Sequence, residues 1–126
     1  MAGEAAIIVA VSDMFFAAKI RAAGEALNIP LRFIKTAEEI ERVAREESPS
    51  LIILDLHQQQ PDPFQLAREL KSREELRHIR LLGFFSHVQT ELEKRAREAG
   101  FEQVMPRSAF TKRLPEILTT GQNRLR

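Results

Sequence analysis

The 126-residue chain has no cysteine. Thiol nucleophiles, thiolate zinc sites and disulfide frameworks are excluded together, and nothing points to an oxidising compartment. Net charge is also scarce: nineteen Lys and Arg stand against eighteen Asp and Glu, leaving +1, which argues against a general nucleic-acid binder. Long hydrophobic runs are missing. The longest, Ala5 to Val11, Leu51 to Leu54 and Leu81 to Phe85, reach at most seven residues, and none spans a bilayer. Glu4 stands near the amino terminus, where a secretory leader carries basic residues, so no signal peptide is read. There is no internal repeat and no low-complexity tract beyond Gln58 to Gln60. What is left is a soluble, cytoplasmic chain expected to form one domain over residues 1–126, with a core at about 5–120. At this length folding buries roughly two thirds of the unfolded surface, enough for a core without staples.

The charge that is present is unevenly placed. Residues 1–60 carry six positive and nine negative charges, residues 61–106 eight of each, and residues 107–126 five against one. Residues 121–126 read as a basic tail, either a solvated end or a weak polyanion-binding arm, since the four or five cations of residues 107–126 give only salt-sensitive phosphate affinity.

The apolar pattern alternates short β-type runs with stretches of helical period, the signature of a parallel sheet covered by helices on both faces. Five strand–helix pairs are expected. Ile7, Ile8, Val9 and Val11 make a strand buried on both faces, and Phe16, Ile20, Ala23 and Leu27 stripe a helix that Asn28 and Pro30 end. Leu31, Phe33 and Ile34 form an edge strand; Thr36 and Glu39 make a capping box before Ile40, Val43 and Ala44. Leu51 to Leu54 is an uninterrupted apolar strand running into Asp55, followed by a polar loop, His57 to Pro63, in which Asp62 and Pro63 are an N-cap and N1 pair for a helix bearing Phe64, Ala67 and Leu70. Ile79 to Phe85 is a fourth strand ending at Ser86, and Val88, Leu92, Ala96 and Ala99 stripe the next helix up to Gly100, a C′ residue. Phe101, Val104 and Met105 supply the fifth strand. Phe110, Leu114, Ile117 and Leu118 stripe a last helix, whose start Pro115 places near Lys112 or Arg113. Phe110 and the start of this helix are candidates for an interaction face.

In an open parallel sheet, ligands and chemistry gather outside the carboxyl ends of the strands. Those ends are polar here: Ser12 and Asp13, Asp55, Ser86 and His87, then Pro106, Arg107 and Ser108. Two carboxylates, a hydroxyl and a cation therefore meet at one edge. Such a set suits an acceptor or nucleophile at Asp55, with a hard cation such as Mg²⁺ neutralising charge, a hydroxyl bonding a transferred group and Arg107 pairing with its oxygens.

In this order and spacing the chain resembles the response-regulator receiver family, the CheY-like domains, over roughly residues 5–120. The family places an acidic pair after strand one, a phospho-accepting Asp after strand three, a Ser or Thr after strand four and a Lys after strand five. The matching positions are Ser12 and Asp13, Asp55, Ser86 and Arg107, separated by 42, 31 and 21 residues from Asp13 onward. Ala99-Gly100-Phe101-Glu102 is similar to the family's turn into strand five. The resemblance implies a doubly wound (βα)5 flavodoxin-like fold with strand order 2-1-3-4-5. It further implies phosphoryl acceptance on Asp55 with Mg²⁺, held by Asp13, Asp55, the His57 backbone carbonyl and, weakly, Ser12 through water. Ser86 would be the switch hydroxyl and Arg107 the phosphate-pairing cation. The implied donor is a histidine kinase or phosphotransfer protein. The output is a protein contact through helix 4, strand 5 and helix 5, with no nucleic acid, no membrane and no enzyme activity beyond self-phosphotransfer and autodephosphorylation.

Several positions depart from the family pattern. Ser12 replaces one acid, which predicts weakened Mg²⁺ affinity. Arg107 replaces the Lys and is forked rather than a point charge; in an alternative register Met105 takes the Lys position and no cation remains. Gln58 and Gln59 replace a Met-Pro, Val104 replaces the switch aromatic, and His87 replaces a small residue, either covering the acceptor or standing in solvent. Asp13 serves as metal ligand or N-cap or both, and Ser86 as switch hydroxyl or as a cap with Gln89. His57 and His78 have no ligand spacing, so a histidine metal site is not expected. The rival reading is a pseudo-receiver, an interaction module that kept the scaffold and works without phosphate. A flavodoxin-like binder of a phosphorylated ligand lacks support, because no Gly- or Ser/Thr-rich loop follows strand one.

Overall fold

The structure, a computed structural model, describes residues 7–86 and 90–122. Five parallel strands, β1 (Ile7–Ala10), β2 (Leu31–Phe33), β3 (Leu51–Asp55), β4 (Arg80–Phe85) and β5 (Gln103–Pro106), form one sheet in the order β2-β1-β3-β4-β5. This is the expected order. The helices are α1 (Met14–Leu27), α2 (Ala37–Glu47), α3 (Pro63–Ser72), α4 (Thr90–Ala99), α5 (Arg107–Lys112) and α6 (Leu114–Gly121).

Strand alternation divides the core into two layers. Ile8, Ala10, Ile52, Leu54, Leu81 and Phe85 meet α2, α3 and α4 on one face; Ile7, Val9, Leu51, Ile53, Leu82 and Phe84 meet α1, α5 and α6 on the other. Because β1, β3 and β4 are covered on both sides, apolar residues fill every position of β1 and β3 until Asp55 ends the run. Only β2 reads as half-exposed throughout, in keeping with its edge position.

The helix ends follow local chemistry. The Asp13, Thr36 and Asp62 side chains each accept a backbone N–H in the first turn of α1, α2 and α3. Asn28 and Ser48 close α1 and α2 in the left-handed region (φ 58° and 51°), and Gly100 follows α4 at φ 120°, a conformation that glycine adopts without a Cβ penalty.

Three expectations need correction. The single last helix is two, since Arg107–Lys112 forms a short helix of its own and α6 begins at Leu114 with Pro115 inside its first turn. Pro115 lacks an N–H and its ring blocks helix continuation through the preceding turn, which separates the two at Arg113. Phe110 is fully buried in the lower layer, so it belongs to the core and not to an interaction face. On α1 the stripe turns by one residue: Gly24 is buried beneath Leu31, while Leu27 is 39% exposed. His87, Val88 and Gln89, and the tail beyond residue 122, lie outside the described residues. No helix among the described residues is long and apolar enough to cross a membrane.

Candidate functional site

The carboxyl edge of the sheet gathers three charged groups. Asp55 ends β3 opposite Phe84 of β4, on a central strand, and is buried among apolar neighbours. Its Oδ1 accepts the backbone N–H of His57 at 2.9 Å, the tight turn that Asp makes with a backbone two residues on. Asp13, past the end of β1, gives its Oδ1 to the Phe16 N–H at 3.0 Å as the N-cap of α1. It is thus a cap, and its second oxygen remains for other partners. Each carboxylate has one oxygen fixed by backbone and one, Oδ2, facing Arg107.

Arg107 fills the space between them. Its Nη1 lies 3.7 Å from Asp13 Oδ2 and its Nη2 3.5 Å from Asp55 Oδ2, so one fork reaches both acids. These are ion-pair separations rather than hydrogen bonds. The guanidinium stands over the Phe16 ring at 4.4 Å and the Phe84 ring at 5.6 Å. That floor is itself packed: Phe16 and Phe84 are 5.0 Å apart, and Phe110 stacks on Phe84 at 4.9 Å. A planar, weakly hydrated cation suits such a surface better than an ammonium does. Arg107 Nε is buried with no hydrogen-bond partner among the described residues, so among them the fork is held from its outer nitrogens and its face. Met105 is buried in the aromatic layer beside Phe84, and it is Arg107 that meets the acids.

Ser12 turns elsewhere. Its N–H and its hydroxyl donate to Gln58 Oε1 at 3.1 and 3.3 Å, while Gln58 Nε2 donates to the Ala10 carbonyl at 2.8 Å. Gln58 therefore clamps the end of β1 to the loop after Asp55 and takes up the Ser12 hydroxyl. In the sequence Gln58 stands out only as a departure from the family pattern, with no role attached. A polar residue with two donors and an acceptor, three positions after a buried strand-end acid, was the available signal. Leu56, directly after Asp55, is buried over Gly83, where a Cβ would meet Leu56 Cδ2 at 2.7 Å, so β4 carries glycine to let this turn seat. Ser86 stands exposed one residue past β4 and makes no hydrogen bond among the described residues. His57 is exposed on the same loop, and His78 sits at the opposite end of β4, its Nε2 3.4 Å from Ser48 Oγ.

No group of three or more His, Cys, Asp or Glu fit to hold a metal ion occurs among the described residues. A hard divalent cation takes oxygen ligands, and the two carboxylate oxygens at this edge not held by backbone are Asp13 Oδ2 and Asp55 Oδ2. They fit Mg²⁺ in kind, but the two carboxylate oxygens are those that Arg107 faces.

No family profile and no curated protein matches the chain. Solved structures do. A protein of Chloroflexus aurantiacus J-10-fl, provisionally named a response regulator, superposes with a TM-score of 0.81 at 14% identity over 96% of this chain and 99% of that one. A response regulator of Hahella chejuensis gives 0.80 at 19% identity, covering 91% and 92%. The receiver domain of a Pseudomonas aeruginosa PAO1 sensor histidine kinase, PA1611, gives 0.76 at 16% identity over 92% and 95%, and holds a magnesium ion in its active-site cleft. The chain has the receiver-domain fold of response regulators. Within that receiver fold the carboxyl-edge cluster of Asp13, Asp55 and Arg107 lies outside the strand ends, where open α/β sheets bind ligands.

Proposed function

We propose that the chain is a receiver module of a phosphorelay, in which Asp55 accepts a phosphoryl group from a histidine kinase or phosphotransfer protein and the change is read by a partner protein. The observation that carries this reading is the disposition of Asp55: buried at the end of a central strand, one oxygen pinned by the His57 N–H, the other facing Arg107, which also faces Asp13. Pinning Oδ1 fixes the plane of the Asp55 carboxylate toward the donor. One carboxylate oxygen of Asp55 bonds to phosphorus as the P–N bond of the phosphohistidine breaks, and the leaving nitrogen keeps the electron pair and takes a proton. Asp13, Asp55 and the His57 carbonyl would hold Mg²⁺, with Ser12 reached through water; bound there, the ion neutralises phosphoryl oxygens.

The product places about one further negative charge at Asp55. Arg107 then has a better acceptor than a carboxylate pair, since its fork matches phosphate oxygens bidentately. Arg107 opens α5 directly after β5 and lies on Phe16 of α1, so its movement is felt by both elements. The exposed Ser86 hydroxyl is the donor available at the end of β4. In this reading the output surface is α4, β5 and the last helical stretch, α5 with α6, and its connection to the site runs through Pro106 and Arg107.

Incubation with Mg²⁺ and acetyl phosphate, read by intact mass, tests the reading. One phosphoryl adduct on the native chain and none on Asp55→Ala is expected; no adduct on the native chain overturns it. Two observations favour a second reading, a pseudo-receiver that works without phosphate: Arg107 already faces both acids at ion-pair distance, and Ser12 is engaged by Gln58.

A further inference from the structure

We propose that Arg107 is a built-in cation that stands where a divalent ion would, so that metal affinity at this edge is set by the guanidinium and its aromatic floor. The inference rests on reading Asp13 and Asp55 as the metal-facing pair; it does not depend on phosphoryl transfer. Three observations carry it. The two oxygens left free by backbone capping are both Oδ2, and both face the same fork at 3.7 and 3.5 Å. The fork lies on Phe16 and Phe84, a surface that holds a planar cation without hydrogen bonds and keeps it beside the two acids. The cluster sums to one negative charge with Arg107 in place, against two for the bare pair, and Ser12 adds none. A divalent ion therefore has to expel the guanidinium from both acids and from both rings before it gains its carboxylate ligands.

A lysine would compete less well. Its ammonium is a strongly hydrated point charge, which can pair with one acid while leaving the other open and has no face to lay on Phe16. The replacement of Lys by Arg thus changes what the site holds at rest, a pair closed by its own cation rather than one open to a metal.

The test is Mn²⁺ binding, read by the electron paramagnetic resonance signal of the free ion, with Mg²⁺ competition and without phosphodonor. Removing a unit charge about 4–5 Å from a divalent ion predicts affinity at least about tenfold tighter in Arg107→Gln than in the native chain. Arg107→Lys, which keeps the charge, falls between, and Phe16→Leu, which removes part of the floor, shifts the same way by about two- to fivefold. Melting temperature gives a second readout: Mg²⁺ raises it more in Arg107→Gln than in the native chain, by mass action. Native affinity equal to that of Arg107→Gln overturns the proposal. If Arg107→Gln does not fold, equal affinity of the native chain and Arg107→Lys overturns it. Absence of a phosphoryl adduct on Asp55 leaves these titrations unchanged, so the two failures are distinguishable.

Discussion

Replacing Gln58 with alanine removes the clamp between β1 and the loop that follows Asp55. Three hydrogen bonds go with it: Nε2 to the Ala10 carbonyl at 2.8 Å, and the Ser12 N–H and hydroxyl to Oε1 at 3.1 and 3.3 Å. Ala10 is almost fully buried, so its carbonyl loses a side-chain donor away from water, at a cost of about 1–1.5 kcal/mol. The two Ser12 bonds are exposed, and water replaces them at a loss of about 0.5–1 kcal/mol together. The expected total is about 2 kcal/mol, or about 5–10 °C in melting temperature for a chain of this size. The chain has no tryptophan and no tyrosine, so urea unfolding is followed by far-ultraviolet circular dichroism rather than fluorescence. Gln59→Ala is the control, because Gln59 is exposed and makes no side-chain hydrogen bond among the described residues; it should change stability by under about 0.5 kcal/mol. A Gln58→Ala loss as small as that of Gln59→Ala refutes the reasoning.

Other substitutions test neighbouring links. Gly83→Ala forces a Cβ to 2.7 Å from Leu56 Cδ2 and 3.1 Å from Phe101 Cδ2, and a cost of about 1–3 kcal/mol in urea unfolding is expected, with the Asp55 turn shifted in amide chemical shifts. Ser12→Asp adds a carboxylate at the end of β1 and should tighten Mg²⁺ binding by calorimetry about tenfold or more, as well as break the hydroxyl bond to Gln58. On α2, burial first and the Glu69 carboxyl second hold Glu41 above the usual carboxylate range, against the pull of Arg73 and Arg45. The folded chain then binds this proton more readily than the unfolded one, so stability from this group falls as pH rises from the ordinary carboxylate value through the raised one. Glu41→Gln should flatten that part of the pH–stability curve, and an unchanged slope counts against the assignment.

Much of this architecture is legible along the chain because its signals are local. Asp13, Thr36 and Asp62 cap helices that begin where their spacing predicts, and Asn28 and Gly100 end helices in conformations those residues favour. The unbroken run Leu51 to Leu54 announces a strand buried on both faces and puts Asp55 at its end. What escaped the sequence depends on contacts between distant segments. Gln58 and Ser12 are 46 residues apart, and no periodicity relates them. Phe110 looks like the start of an amphipathic face until Phe16 and Phe84 arrive from two other elements to bury it. The chain order puts Arg107 just past the fifth strand, but that one fork spans both acids follows from where the guanidinium lies on the Phe16 and Phe84 rings, which the linear order does not contain.

Asp55, and no other acid, is expected to take the phosphoryl group. Borohydride reduction converts an aspartyl phosphate to homoserine, so treating the chain with Mg²⁺ and acetyl phosphate, reducing it and mapping peptides by mass spectrometry locates the acceptor directly. Homoserine at position 55 alone is the predicted result. Homoserine at Asp13 or Asp62, or none at any position while the untreated protein is folded, contradicts it.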